Sequence, residues 1–199
     1  MIDHFKVFGI PRSLGLGRDS LESRFHDLQR ETHPDKFAEA DHLQLEEAQE
    51  ASAEVNQAYR VLRDPLARLK HLLLLYGYSV GASKQIPQSL LFSVMDAQEK
   101  IAEMEFSKDA KQKVRIAGDL DTTAKGFELR LETLQKERLE LSARWDGSVA
   151  HSESAEALSA TEKTILEKFV ELLVEQSYIE TLLATVRAAQ KGESAVIRH

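Results

Sequence analysis

Along most of this chain apolar residues recur every three or four positions, the period of helices with one buried face. Leu21, Phe25 and Leu28 form a short stripe of this kind. Leu45, Ala48, Ser52, Val55, Tyr59 and Leu62 carry the same spacing over a longer run. Between the two lies His33-Pro34-Asp35, followed by Lys36-Phe37. Pro34 has no amide hydrogen and moves His33 out of the α region, so the first of these helices ends about there. Asp35 can bond within its own turn. The pattern predicts a helical hairpin whose polar tip holds an imidazole and a carboxylate, either as a helix-ending turn or as a contact point.

Shorter signals flank the hairpin. Asp3 is placed to cap a helix over His4-Phe5-Lys6-Val7-Phe8, which Gly9 closes and Pro11 follows. The segment Ser13-Leu14-Gly15-Leu16-Gly17 reads as a flexible connector. Asp19 and Glu22 have capping-box spacing at the start of the second helix. Asp64-Pro65 opens another helix, with Leu66, Leu69, Leu72, Leu73 and Tyr76 as its apolar content and Gly77 at its end. From Gly77 to Ser83 the periodicity stops, which marks a domain boundary.

Three further seams follow. Leu90, Val94, Ala97, Ile101 and Met104 form the first; Phe127, Leu131, Leu134, Arg138, Leu141 and Trp145 the second. The third runs through Ile165, Phe169, Leu172, Gln176, Ile179, Leu183 and Val186, with Ser159 and Glu162 placed to cap its helix. Alternating four- and three-residue steps suit nearly parallel helix axes, and breaks near Gly118 and Asp146-Gly147 predict an antiparallel three-helix bundle. The chain is thus read as all-α, with domains at 1–76 and 87–191, a linker at 77–86 and a frayed tail at 192–199. Leu91, Phe92 and Met95 lie off the first seam, beside a row of Asp96, Glu99 and Glu103. They either widen the buried stripe or form an exposed patch for a protein contact.

Composition narrows the function. The 199 residues include 9 Gly and 4 Pro, and β-branched runs are scarce, which favours helices throughout. With no cysteine, thiolate catalysis, disulfides and cysteine zinc sites are excluded, and no resident cofactor is expected. A net charge of −7 argues against general nucleic-acid binding. No apolar run approaches the ~20 residues of a membrane span, and no leader segment is recognised at the start, so a cytoplasmic protein is expected. His33 and Asp35 could pair as acid and base, and His26 or His42 could add a metal ligand, but a solvated hairpin tip supplies no substrate pocket. Neither an enzyme nor a metal site is expected.

The stretch Phe25 to Thr32, the His33-Pro34-Asp35 tip, and Asn56 through Arg68 together resemble a J domain, the module that activates DnaK-type heat-shock ATPases. The resemblance covers roughly the first seventy-five residues. It implies that His33, Pro34 and Asp35, with Arg24, Arg30 and Lys36 on the second helix and just past it, meet the ATPase. Asp27 and Glu31 interrupt that basic face.

With a C-terminal three-helix bundle added, the whole layout resembles the HscB family of co-chaperones. That resemblance implies an IscU-type iron–sulfur scaffold as one partner and a specialised HscA-type ATPase as the other. The family's scaffold-binding positions match Leu91, Phe92, Met95, Asp96, Glu99 and Glu103, and Phe169 on the last helix. Phe92 and Met95 are conservative variants of the family's residues, Asp96 is one methylene shorter than its usual Glu, and Phe106 to Trp145 is an expanded region of loose similarity. Phe169 also falls on a seam, which would bury it. The alternative is a J-domain adaptor for a different folded or unfolded client, although the Gly/Phe-rich linker and cysteine repeats of general J-proteins are absent.

Overall fold

The computed structural model describes residues 1–33, 36, 42–81, 87–148 and 158–192. Pro34, Asp35, Phe37 to Asp41, the part of the linker from Ala82 to Ile86, and the tail beyond Gly192 lie outside the described residues. The described residues contain helices and no strand, so the fold is all-α. In order these are α1 (His4–Phe8), α2 (Arg18–Thr32), α3 (His42–Arg63), α4 (Pro65–Leu75), a 3-10 turn (Gln88–Leu90), α5 (Leu91–Phe106), α6 (Ala110–Ser148) and α7 (Ala160–Gln190). They divide into two compact units: Met1–Ser79 with Leu141–Glu167, and Val80–Glu140 with Lys168–His199.

In the first unit α1 begins where expected. The Asp3 carboxylate accepts from the Phe5 and Lys6 amides, and Gly9 ends the helix at φ 62°. Phe5 and Phe8 are buried. On the hairpin, Phe25 stacks on Tyr59 with centroids 4.0 Å apart, and Gln29 Nε2 donates to Asn56 Oδ1 at 3.3 Å. Leu21 and Leu28 of α2, and Ala48, Val55, Ala58 and Leu62 of α3, form the buried faces between them. Asp64 caps α4 by accepting from the Leu66 and Ala67 amides, with Pro65 at the first position. Gly77 adopts φ 81° just past its end.

Two local expectations fail here. Arg18 opens α2 and Gly17 caps it without a side-chain bond, which puts Asp19 inside the first turn rather than at the cap. The connector from Ser13 to Gly17 is also pinned. Leu14 N and Gly15 N donate to the two carboxylate oxygens of Asp146 at 2.7 and 2.6 Å, and Trp145 Nε1 donates to the Arg12 carbonyl at 2.8 Å. A Cβ on Gly15 would meet Asp146 Oδ2 at 2.7 Å, so any larger residue here would push the carboxylate off this approach. Arg12 pairs with Asp3 at 2.9 Å and lies over the Tyr76 ring, which meets Trp145 edge-on.

Beneath this lies a pair of buried histidines. His71 Nε2 accepts from the His4 amide at 3.1 Å, and the two rings stack 4.3 Å apart. Burial pushes the His71 pKa down to about 4, helped by His4 and Arg12 and opposed by Asp3. Burial lowers His4 too, against Asp3 and Glu54. The geometry agrees, because a protonated Nε2 could no longer accept.

The second unit contains the bundle core. Val94, Ala97 and Ile101 of α5 meet Ile116, Leu120, Phe127 and Leu134 of α6 and Ile179, Leu183 and Val186 of α7. Gln190 bonds the Ala117 carbonyl, Arg187 pairs with Glu128, Arg130 with Glu175, and Arg138 with Gln176. The early part of α6 meets the late part of α7 and the later part of α6 its middle, so these helices run antiparallel. Arg130 grips the buried Glu175 at 2.8 and 3.0 Å and Glu137 at 2.8 Å. Ser159 and Glu162 form the expected reciprocal cap of α7, at 2.7 and 3.2 Å.

The break expected near Gly118 does not occur, and α6 passes straight through it. One interior glycine costs about 1 kcal/mol relative to alanine. Ile116 and Leu120, both buried, offset that by roughly 1.5–3 kcal/mol each. The chain turns instead at Ser107 to Asp109, where Ser107 N donates to the Glu103 carbonyl at 2.9 Å and Asp109 Oδ1 accepts from Lys111 N at 2.9 Å. The break expected near Asp146-Gly147 does occur, since α6 ends at Ser148.

Two expectations follow for stability. Asp146→Ala leaves the Leu14 and Gly15 amides without their acceptor and should cost about 1–3 kcal/mol in denaturant titration. Below pH ~6.5 the unfolded histidines take up protons that the folded pair refuses, so stability falls as pH drops from there through about 4. Unfolding midpoints at pH 7.5 and 5 should show this loss in wild type and a smaller loss in His71→Gln.

Candidate functional site

In the first unit the candidate surface is the C-terminal end of α2. Thr32 ends the helix with its hydroxyl bonded to the Leu28 carbonyl at 2.9 Å. His33 follows with extended backbone at φ −65° and ψ 125°, as the residue before a proline should. Lys36 N donates to the His33 carbonyl at 3.0 Å, and both side chains are exposed. Pro34 and Asp35 lie outside the described residues.

The cations of α2 differ in character. Arg24 is half-buried, and its Nε donates to the Phe8 carbonyl at 3.1 Å, which ties α2 to the end of α1. Arg30 is exposed and pairs with Asp27 one turn earlier. Six residues place Arg24 and Arg30 roughly 120° apart around a helix, so they do not share one face. Arg30 and Lys36, rather than Arg24, carry accessible charge beside His33.

In the second unit the candidate surface is the outer face of α5. Its core face uses Leu90, Val94, Ala97 and Ile101. On the side away from it, Leu91 is 40% exposed, Met95 59% and Phe92 84%. Large apolar groups at this exposure are not a widened core stripe, and they form the kind of patch that marks a contact. Asp96, Glu99 and Glu103 are exposed alongside. Asp96 pairs with Lys100 at 2.7 Å, while Glu103 accepts from Gln112 at 2.7 Å and has Arg115 at 3.9 Å. These last contacts hold the carboxylates partly ordered without burying them.

Phe169 corrects the expected set. It is 0% exposed, so it presents no surface, and its place on the α7 seam rather than on an outer face is the reason. Phe106, at the far end of α5 and in line with Phe92 by three- and four-residue steps, is also 83% exposed. A cleft of about 460 Å³ also opens between α5, α6 and α7, with Ser93, Asp96, Thr123 and Arg130 among its lining. Among the described residues no three His, Asp or Glu side chains gather to hold a metal ion, and no helix is long and apolar enough to cross a membrane.

No protein-family model matches the chain. Two solved structures are similar to the chain. Human co-chaperone protein HscB is 23% identical with a TM-score of 0.55, over 94% of this chain and 81% of that one. Chaperone HscB from Vibrio cholerae is 21% identical with a TM-score of 0.49, over 96% of this chain and 99% of that one. In fold, this chain is similar to the human HscB co-chaperone over nearly its whole length.

Proposed function

We propose that the protein is a two-ended adaptor of the HscB type, with no chemistry of its own. One end, at His33, Pro34, Asp35, Arg30 and Lys36, docks on the ATP-bound form of an HscA- or DnaK-type heat-shock ATPase and promotes hydrolysis there. The other, on α5, holds an IscU-type iron–sulfur scaffold through Leu91, Phe92 and Met95, with Asp96, Glu99 and Glu103 at the rim. Hydrolysis locks the ATPase on the scaffold and favours cluster transfer to acceptor proteins. The cluster is cargo of the scaffold; this chain has no thiol to bind it. Its place of work is the cytoplasm.

The observation that carries this reading is the apolar outer face of α5, exposed beside a row of carboxylates in a chain with the HscB fold. Apolar anchors inside a charged rim are how folded partners are commonly held, the anchors supplying affinity and the charges orientation. The exposed cations beside His33 suit an acidic docking surface, where they would speed association and weaken with salt. An adaptor for a different client would share the first end and differ at the second.

His33→Gln should abolish stimulation of the ATPase while scaffold binding persists, measured as steady-state ATP turnover and by calorimetry; retained stimulation would contradict the assignment. Leu91→Ala with Met95→Ala should weaken scaffold binding at least tenfold with unchanged circular dichroism. Lost helicity in that variant would mean that the two side chains hold the bundle.

A further inference from the structure

The apolar face of α5 does not stop at Met95. Phe92, Met95, Glu99, Ala102 and Phe106 follow one another by three, four, three and four residues, the spacing of a single line along a helix. All five are exposed, and Phe106 at 83% matches Phe92 at the other end. The line lies opposite the face that carries Val94, Ala97 and Ile101 into the core. At 1.5 Å per residue it is about 21 Å long. Each aromatic side chain offers on the order of 150–250 Å². The whole face therefore reaches the size at which apolar patches on soluble proteins usually serve contacts.

Charge decides what can cover it. Glu99 sits at the midpoint of the line, and Asp96 and Glu103 flank it on one side. In a two-fold pairing of two copies across this face, each Glu99 would meet its own counterpart near the axis. Like charges brought together in a drying contact are strongly unfavourable. An anionic lipid surface is disfavoured for the same reason. The face suits a different protein, with an elongated apolar surface and a lysine or arginine opposite Glu99.

We infer that the partner-binding surface of α5 extends over its full length, with Phe106 as a second aromatic anchor, so that Glu99, at the rim of the shorter contact, comes to lie within the longer one and faces a basic residue of the partner. This rests on the reading of α5 as the scaffold-binding helix and adds the far half of the contact. Ala102 then marks where the partner comes nearest to the helix backbone between the two anchors.

The test is calorimetric titration of an IscU-type scaffold into the full-length chain and its Phe106→Ser, Glu99→Lys and Ala102→Arg variants, at low and high salt. Each variant should weaken binding about tenfold, and Glu99→Lys should also flatten the salt dependence, with melting curves unchanged. Ala102→Arg places a good helix former at an exposed position, so it probes the far half even if Phe106→Ser unfolds. Wild-type affinity retained in Phe106→Ser and Ala102→Arg would end the contact at Met95, overturning the extension while the adaptor reading stands. No binding by the wild-type chain would overturn both. A wild-type dimer in sedimentation that Phe106→Ser dissociates would make the occupant a second copy and overturn the proposal.

Discussion

The first unit depends on a tie made across more than half of the chain. Asp146 holds two consecutive amides, of Leu14 and Gly15, on its two carboxylate oxygens, and the neighbouring Trp145 indole reaches the Arg12 carbonyl. A carboxylate accepting two amide hydrogens gains more than a neutral acceptor would. The same carboxylate adds a negative charge near Arg68, whose buried guanidinium donates to the Leu62 carbonyl at 2.7 Å. Around this point Arg12, Asp3, Tyr76 and the His4–His71 pair are held together. The segment that leads into α2 is thereby fixed, and with it the helix that ends at His33.

On α5 the constraint is of the opposite kind. One face is fully used by the bundle core, and the other leaves Phe92, Met95 and Phe106 in water. Nothing in the packing of the second unit calls for those side chains, since alanine or glutamate would serve an outward position as well. Leaving apolar area exposed forgoes roughly 25 cal/mol for each Å² that a partner could cover. The carboxylates along the same face give it a negative charge, which on the proposed reading would favour a basic partner.

Much of this was legible from residue order because it is local chemistry. Asp3 with Gly9, Asp64 with Pro65, and Ser159 with Glu162 cap their helices as their spacing implies. All three bundle seams fall on buried or half-buried positions. The errors arose where a local signal met a distant force. Gly118 looked like a break, yet α6 runs through it, with Ile116 and Leu120 buried on either side; the break near Gly147 falls where α6 ends. Gly15 looked like slack, although its missing Cβ is what lets Asp146 close on the backbone. Arg24 is half-buried, and its Nε also ties α2 to the end of α1, a contact that residue order does not show. Phe169 could be core or surface by sequence, and only packing decided it.

The measurement that tests the central claim most directly is steady-state ATP turnover by an HscA-type ATPase, with this protein alone and together with an IscU-type scaffold. An adaptor that engages both partners should stimulate turnover alone and further when scaffold is present. Turnover indifferent to this protein in both conditions would contradict the account.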